Sequence, residues 1–165
     1  MKKLLLIAFL FLGFQNLFAQ TEAGITGGYL NVTADGADEG ESGFYAGLYA
    51  ELSFSNSLKL QPELLYGNVS DNNLLYLPVM LKYYVAGTDL NIQAGPQATY
   101  LFNDSDDDNI EFKDQLGLDL GVGVGYDIFH NIYVHARYGF KIAQGSDTFS
   151  SADFNSFMVG LSVGL

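Results

Sequence analysis

Strict alternation of apolar residues with polar or small ones between Gln115 and Ile128 constrains this chain most strongly. Leucine, valine, tyrosine and isoleucine occupy every second position, and glycine, aspartate and glutamine fill the positions between them. Successive side chains of a β-strand point to opposite faces, so the pattern predicts a long strand with one apolar face. The other face is mostly glycine with Asp119 and Asp127, which suits a crowded interior.

The same period recurs along the chain and predicts eight strands. We expect them at Ala23–Thr33, Gly43–Phe54, Leu58–Val69, Leu74–Ala86, Leu90–Phe102, Asp114–Ile128, Ile132–Ala143 and Phe154–Leu165. Most have about the nine to eleven residues that a tilted strand needs to cross a bilayer. After residue 20, no stretch approaches the roughly eighteen continuous apolar residues of a transmembrane helix.

The predicted connections alternate in length. Three of them are tight turns: Ser55–Ser57, Gly87–Asp89 and Phe129–Asn131. The others are mostly longer and polar: Ala34–Ser42, Ser70–Asn73, Asn103–Lys113 and Gln144–Asp153. Short turns at one rim and longer loops at the other are typical of outer-membrane barrels, and we expect the long loops to lie outside the cell.

The choice between a membrane barrel and a soluble carrier barrel depends on which face points outward. Only 16% of the residues are charged, whereas soluble domains usually have about 25%. The polar sets combine few charges with glycines and tyrosines and fit a packed polar lumen: Tyr45, Gly47, Tyr49, Glu51; Lys59, Gln61, Glu63; Asn91, Gln93, Gly95, Gln97, Thr99; and Tyr133, His135, Arg137, Gly139, Lys141. A soluble carrier would instead enclose the apolar sets.

Aromatic residues on the apolar faces sort to the strand ends. Two girdles at the membrane interfaces are therefore expected. The outer girdle has Phe44, Tyr66, Tyr100, Phe102, Phe140 and Phe157, and the inner one has Phe54, Tyr83 and Tyr126. The sequence thus predicts an all-β, eight-stranded, antiparallel, up-and-down transmembrane β-barrel, closed by pairing of the last strand with the first.

Two irregularities are expected in this barrel. All three prolines, Pro62, Pro78 and Pro96, fall inside predicted strands, where each removes a ladder hydrogen bond. We expect local bulges or lumen water beside them. The glycine pair at Gly27 and Gly28 blurs the alternation of the first strand, and we expect a bulge there as well.

The first twenty residues have the features of a secretory signal peptide. Lys2 and Lys3 precede an apolar run that ends near the small residue Ala19, although a short anchor helix is an alternative. Residues 1–20 are thus a predicted signal peptide and residues 21–165 a predicted outer-membrane barrel domain. The net charge of −12 argues against nucleic acid as a partner. The chain has no cysteine, so no disulfide or thiolate metal site is expected.

Several segments carry a family resemblance. The stretches LQPELLYG (Leu60–Gly67), YLPVMLKYYV (Tyr76–Val85) and LNIQAGPQATYLF (Leu90–Phe102) resemble strand motifs of the PorT-like outer-membrane β-barrel family of Gram-negative bacteria. GFYAGLYAELSF (Gly43–Phe54) is similar to the family's second strand. The resemblance implies an eight-stranded barrel with prolines in its strands, and it implies little about activity, since only a few members are tied to protein secretion. Many such barrels end on an aromatic residue, whereas this chain ends on Leu165.

Charged residues on the predicted inner faces form a candidate lumen network: Glu51, Glu63, Lys82, Asp119, Arg137 and Lys141. Counting outward from each turn sets Lys141 opposite Asp119. It also places Lys82 beside Gln61 and diagonal to Glu63. We expect charge-paired ladders that plug the lumen, because eight strands leave an interior that side chains just fill. A gated pore lined by these groups is the alternative.

The segment Asn103–Asp114 is the strongest chemical feature of the predicted loops. Asp104, Asp106, Asp108 and Glu111 supply oxygen ligands at alternating spacing, which favours Ca²⁺. The segment differs from a helix-loop-helix calcium loop, because its sixth position is Asn109 and not glycine. A solvated acidic loop is the alternative. Counting Asp114, the loops together hold thirteen acidic residues against one basic residue. Such a surface would share divalent cations with lipopolysaccharide.

No catalytic constellation of serine, histidine and acid is expected to converge. His130 falls in a predicted turn, and His135 is expected to point into the lumen near that turn. We therefore predict a non-enzymatic protein of the bacterial outer membrane, with a structural or surface-interaction role through its acidic loops. An accessory of a secretion or envelope-assembly machine and a lipid-modifying enzyme are the alternatives. The expected partners are outer-membrane lipid, lipopolysaccharide, and the barrel-assembly machinery with periplasmic chaperones, and the expected state is a monomer.

Overall fold

Eight antiparallel strands form a closed barrel in the computed structural model of the protein, which describes residues 21–34, 40–70, 72–102, 116–129, 131–141 and 154–165. The strands are β1 (Thr21–Ala34), β2 (Glu41–Ser53), β3 (Leu58–Val69), β4 (Asn72–Tyr84), β5 (Leu90–Phe102), β6 (Leu116–Phe129), β7 (Ile132–Lys141) and β8 (Phe154–Gly164). Each predicted strand is confirmed with its ends within two residues of the observed bounds. Among the described residues there is no helix with the length and apolarity of a membrane span.

The last strand closes the barrel against the first. β8 pairs with β1 from Gly24 and Gly164 to Ala34 and Phe154, so neither edge is left open. β1 also pairs with β2 in one continuous register from Thr21 to Val32. The bulge predicted in β1 is therefore wrong, because glycine lets the backbones pair without displacing a residue. A register shift occurs instead between β6 and β7, at Asp127 and Phe129.

The prolines interrupt the strand pairing without shifting it. Beside Pro62, the pairing of β3 with β2 stops at Glu63 and resumes at Leu60 in the same register. The same happens beside Pro78, where β4 faces β3, and beside Pro96, where β5 faces β4. The bulges expected at the prolines are therefore wrong. Each proline still pairs with the strand on its other side, so the loss of one donor is confined to one seam.

The connection between β3 and β4 is shorter than predicted. Strand pairing continues to Val69 and Asn72, so two residues, and not the four of Ser70–Asn73, join the strands. Ser70 adopts a positive φ of 53° at this turn. The shorter turn changes the register by two residues, so Lys82 lies opposite Lys59 and not opposite Gln61. A shift of two keeps every side chain on its predicted face.

The outer surface of the barrel is apolar and bears the predicted aromatic residues. Eight of them are 40 to 55% exposed: Phe44, Tyr66, Phe102, Phe140 and Phe157 in the half next to the long loops, and Phe54, Tyr83 and Tyr126 in the other half. The ninth, Tyr100, is half-buried and packs edge-on against Phe102 at a centroid distance of 5.0 Å. We call the barrel end with the long connections the loop end, and the opposite end, where β1 begins and β8 ends, the termini end.

Candidate functional site

A buried ion pair crosses the middle of the lumen. Arg137 lies on β7 and Glu63 on β3, which stand on opposite walls of the eight-stranded barrel. Nη1 and Nη2 of Arg137 each lie 2.6 Å from an oxygen of the Glu63 carboxylate. The Nε atom of Arg137 donates a further hydrogen bond to Gln93 at 3.0 Å. On the other side of the pair, Gln61 donates to Glu63. A bidentate pair with these extra bonds is the geometry that a buried charge requires.

A second set of charges lies closer to the termini end. Glu51 on β2 accepts from Lys59 at 2.5 Å and from Lys82 at 2.7 Å. Lys82 also donates to Gln61 at 2.9 Å, and Gln61 therefore links this set to the pair of Arg137 with Glu63. Lys82 and Glu51 are 2% and 5% exposed, so water does not screen their attraction as it does at a surface.

The six residues predicted for the lumen network are thus distributed over separate contacts. Lys82 binds Glu51, which lies one strand beyond the predicted neighbours Gln61 and Glu63, whereas Glu63 binds Arg137 on the far wall. Asp119 is buried and accepts from Thr99 at 2.9 Å and from Gln97 at 3.4 Å. The backbone of Lys141 pairs with that of Asp119 as counted from the turn, and the side chain of Lys141 lies outside the described part.

His135 belongs to an aromatic group in the same layer. Its Nε2 lies 2.7 Å from the hydroxyl of Tyr45, and its ring stacks on Tyr133 at a centroid distance of 5.1 Å. His135 is 3% exposed. Burial among tyrosines and Arg137 gives this histidine a packing role, in line with its predicted inward orientation. His130 lies outside the described residues.

An apolar cluster fills the loop-end part of the lumen. It consists of Leu30, Tyr45, Leu65, Val69, Leu74, Tyr76 and Met158, with Val32 and Leu101 packed against it. The sequence pattern predicts a polar lumen throughout, and this prediction is wrong at the loop end, where the cluster is apolar. The signal that could have found it is Leu65, which shares its face of β3 with Gln61 and Glu63 and therefore points inward.

A cavity of about 660 Å³ opens at the termini end. Glu51, Lys59 and Lys82 lie at its inner side, and Tyr49, Tyr84 and Tyr133 are among its walls. Three more carboxylates, those of Glu22, Asp89 and Asp127, also line it. The lumen is therefore layered, with an open charged cavity, a closed polar layer and an apolar cluster in succession from the termini end.

The predicted calcium ligands Asp104, Asp106, Asp108 and Glu111 lie outside the described residues. Within the described ranges, no three histidine, aspartate or glutamate side chains group closely enough to hold a metal ion. The calcium site therefore stays a prediction from the sequence.

An apolar exterior around a filled, charged interior is the arrangement of a small membrane barrel. The sequence matches the family of the outer membrane protein beta-barrel domain over residues 4–164. The chain belongs to this family. The match spans nearly the whole chain, so the family's closed barrel and its place in the bacterial outer membrane apply to this protein.

Solved structures share the fold at low sequence identity. Neisserial surface protein A is 14% identical with a TM-score of 0.59, over 88% of this chain and 96% of that one. The attachment invasion locus protein Ail of Yersinia pestis is 16% identical with a TM-score of 0.50, over 88% and 99%. OprG of Pseudomonas aeruginosa is 14% identical with a TM-score of 0.50, over 87% and 95%. No curated protein sequence matches the chain.

Proposed function

We propose that this chain is a non-enzymatic, non-conducting outer-membrane barrel of the PorT-like kind, which acts through its acidic loops at the cell surface. The observation that carries the proposal is the closed middle of the lumen. Glu51, Glu63, Lys82 and Arg137 are each at most 6% exposed there, and an apolar cluster follows toward the loop end. Solutes therefore have no open path, and the remaining surfaces are the lipid-facing wall and the two ends.

The loop end has the composition for binding cations and lipid headgroups. The four loops predicted from the sequence, with Asp114 counted in, hold thirteen acidic residues and one basic residue. Asp104, Asp106, Asp108 and Glu111 would share Ca²⁺ with the phosphates of lipopolysaccharide, because bound divalent cations bridge carboxylate and phosphate oxygens. The protein acts as a monomer in this proposal and meets the barrel-assembly machinery and periplasmic chaperones only during its biogenesis.

The PorT-like assignment is supported by the strands that carry the prolines. The motifs at Leu60–Gly67, Tyr76–Val85 and Leu90–Phe102 coincide with β3, β4 and β5. Their prolines occupy successive seams of the barrel and leave its register intact. Prolines at these places are thus compatible with a closed barrel, as the resemblance to the PorT-like family implies.

The test is calcium-dependent binding of lipopolysaccharide. The refolded protein is titrated with CaCl₂ and then mixed with vesicles that contain lipopolysaccharide. We expect a calcium dissociation constant of about 10⁻⁴–10⁻³ M, as in extracellular calcium modules, and vesicle binding that requires it. Neutralising the segment with Asp104→Asn, Asp106→Asn, Asp108→Asn and Glu111→Gln should abolish both.

The matched control neutralises two acids of another loop, with Asp147→Asn and Asp153→Asn. This variant should bind calcium as the unchanged protein does. Equal calcium binding by the four-residue variant, or vesicle binding that ignores calcium, would contradict the proposal. A different outcome is that other envelope proteins co-purify with the unchanged chain and with both variants. This outcome would favour a role in a secretion machine instead.

A further inference from the structure

The cavity at the termini end is large enough for a small organic ligand. Its volume of about 660 Å³ falls within the range of roughly 300–1,000 Å³ found for small-molecule sites. It lies at the opposite end from the acidic loops, so an activity here is independent of the proposed surface function. Buried Lys82 and Glu51 close its inner side.

The charge of the cavity is negative. Its lining has four carboxylates, Glu22, Glu51, Asp89 and Asp127, against the two lysines Lys59 and Lys82. Both lysines already bind Glu51. Within the described residues, no lysine or arginine pairs with the other three carboxylates. Tyr84 donates to Asp127 at 3.4 Å, and Lys59 and Lys82 act on that carboxylate only from beyond ion-pair distance. A cation that enters the cavity therefore meets three carboxylates that make no direct ion pair with lysines or arginines of the described part.

The tyrosines of the cavity turn their ring faces toward ammonium groups. The Nζ atom of Lys82 lies 3.9 Å from the ring centroid of Tyr133 and 5.6 Å from that of Tyr84. The Nζ atom of Lys59 lies 5.0 Å from the Tyr84 centroid. Contacts within about 6 Å are cation–π interactions. The ammonium groups in these contacts are the protein's own, and they show that the walls place tyrosine ring faces beside carboxylates. That combination is the chemistry that recognises amines.

The spacing of the carboxylates selects an extended ligand. No three of the acidic and histidine side chains in the described part come close enough to share a metal ion. Glu22 is on β1, whereas Asp89 and Asp127 are neighbours, since the backbone N–H of Asp127 donates to the carbonyl oxygen of Asp89 at 3.1 Å. The three carboxylates therefore stand at two places on the barrel mouth, on β1 and beside β6. A ligand that satisfies them needs several positive charges along an apolar chain.

We propose that this cavity binds an extended aliphatic polyamine. The ammonium groups contact Glu22, Asp89 and Asp127, and the methylene chain lies along the rings of Tyr49 and Tyr84. The ligand enters from the termini end and stops at the layer that Lys82 and Glu51 close, so it is held without being passed through the barrel.

The test is calorimetric titration of spermidine into the folded, full-length protein in detergent micelles. All variants carry the neutral segment with Asp104→Asn, Asp106→Asn, Asp108→Asn and Glu111→Gln, because acidic loops attract amines as well. In this background we expect saturable binding at one site. Adding Glu22→Gln and Asp127→Asn should weaken binding about tenfold.

The matched control removes the same charge at the loop end with Glu39→Gln and Glu41→Gln, and it should leave the affinity within about twofold. The single variant Asp89→Asn is the test if the double variant does not fold, because Asp89 lies on an exposed turn. It should weaken binding about threefold to fivefold. Absence of saturable binding, or equal losses at both ends of the barrel, would overturn the proposal. Failure here would leave the calcium test of the loops unaffected, and the converse also holds.

Discussion

Arg137 and Glu63 join opposite walls of the barrel through two N–O contacts of 2.6 Å. The pair is buried, with exposures of 4% and 6%. The ion pair therefore spans the lumen from wall to wall. Together with the amides of Gln61 and Gln93, it occupies the space through which a solute would have to pass. The buried charges stabilise the closed state only while both partners are present.

Glu63→Gln should destabilise the barrel strongly, because it leaves the Arg137 guanidinium without its counter-charge. We expect a loss of about 3–5 kcal/mol in the free energy of unfolding. Urea unfolding in lipid vesicles, followed by the change in gel mobility between folded and unfolded protein, measures it. The double variant Glu63→Leu with Arg137→Met should be close to the unchanged protein. Equal stability of the single variant and the unchanged protein would contradict a stabilising role of the ion pair.

Glu51→Gln should cost more than Lys82→Met. The first variant leaves Lys59 and Lys82, which lie opposite each other in the β3–β4 pairing, without the carboxylate between them. The second leaves Glu51 paired with Lys59 at 2.5 Å. We expect the two free energies of unfolding to differ by at least about 1 kcal/mol, because both charges are buried, as measured in the same urea assay. A larger loss of stability in Lys82→Met than in Glu51→Gln would show that the ion pair of Glu51 with Lys59 does not compensate for the loss of Lys82.

Gly160→Ala should destabilise the barrel where the hydroxyl of Tyr45 approaches β8. A methyl group at Gly160 would overlap that hydroxyl and the carbonyl oxygen of Gly27, and Tyr45 is held there by His135. We expect a loss of about 1–3 kcal/mol from overpacking. Gly164→Ala is the control, because its methyl group would lie 3.6 Å from the nearest atom. Equal unfolding midpoints of the two variants would contradict this packing.

Lys141→Met tests the predicted ladder near the loop end. The backbones of Lys141 and Asp119 are paired, and Asp119 is 2% exposed. Removing the ammonium group should cost about 3–5 kcal/mol if it neutralises this carboxylate. Thermal unfolding followed by gel mobility measures the change. An unchanged midpoint would show that Lys141 does not neutralise Asp119.

The strands and their faces could be predicted from the sequence because burial in a barrel wall has a period of two. The stretch from Gln115 to Ile128 shows this most clearly, and its apolar positions face outward in β6. The register predicted for β3 with β4 is wrong by two residues. Asn68 and Asn73 pair with each other as parts of the two strands, whereas the sequence pattern places Asn73 in the connecting loop. The assignment of each side chain to the inner or outer face is still correct, because a shift of two residues does not change the face.

Contacts across the lumen could not be predicted in the same way. Counting from turns finds neighbours on adjacent strands, such as Asp119 and Lys141. The contact of Arg137 with Glu63 depends on side-chain length and barrel diameter, which no local pattern encodes. The apolar cluster around Leu65 was missed for a related reason, since the polar members of each inward face dominated the interpretation.

The most direct test of a closed lumen is solute flux through the pure protein in liposomes. Vesicles that contain the refolded barrel are placed in an isotonic solution of a small sugar, and their swelling is recorded by light scattering. We expect the same swelling rate as in protein-free vesicles, because side chains fill the layer between Glu51 and Arg137. Swelling that rises with the amount of folded protein would contradict a closed lumen and make the barrel a pore.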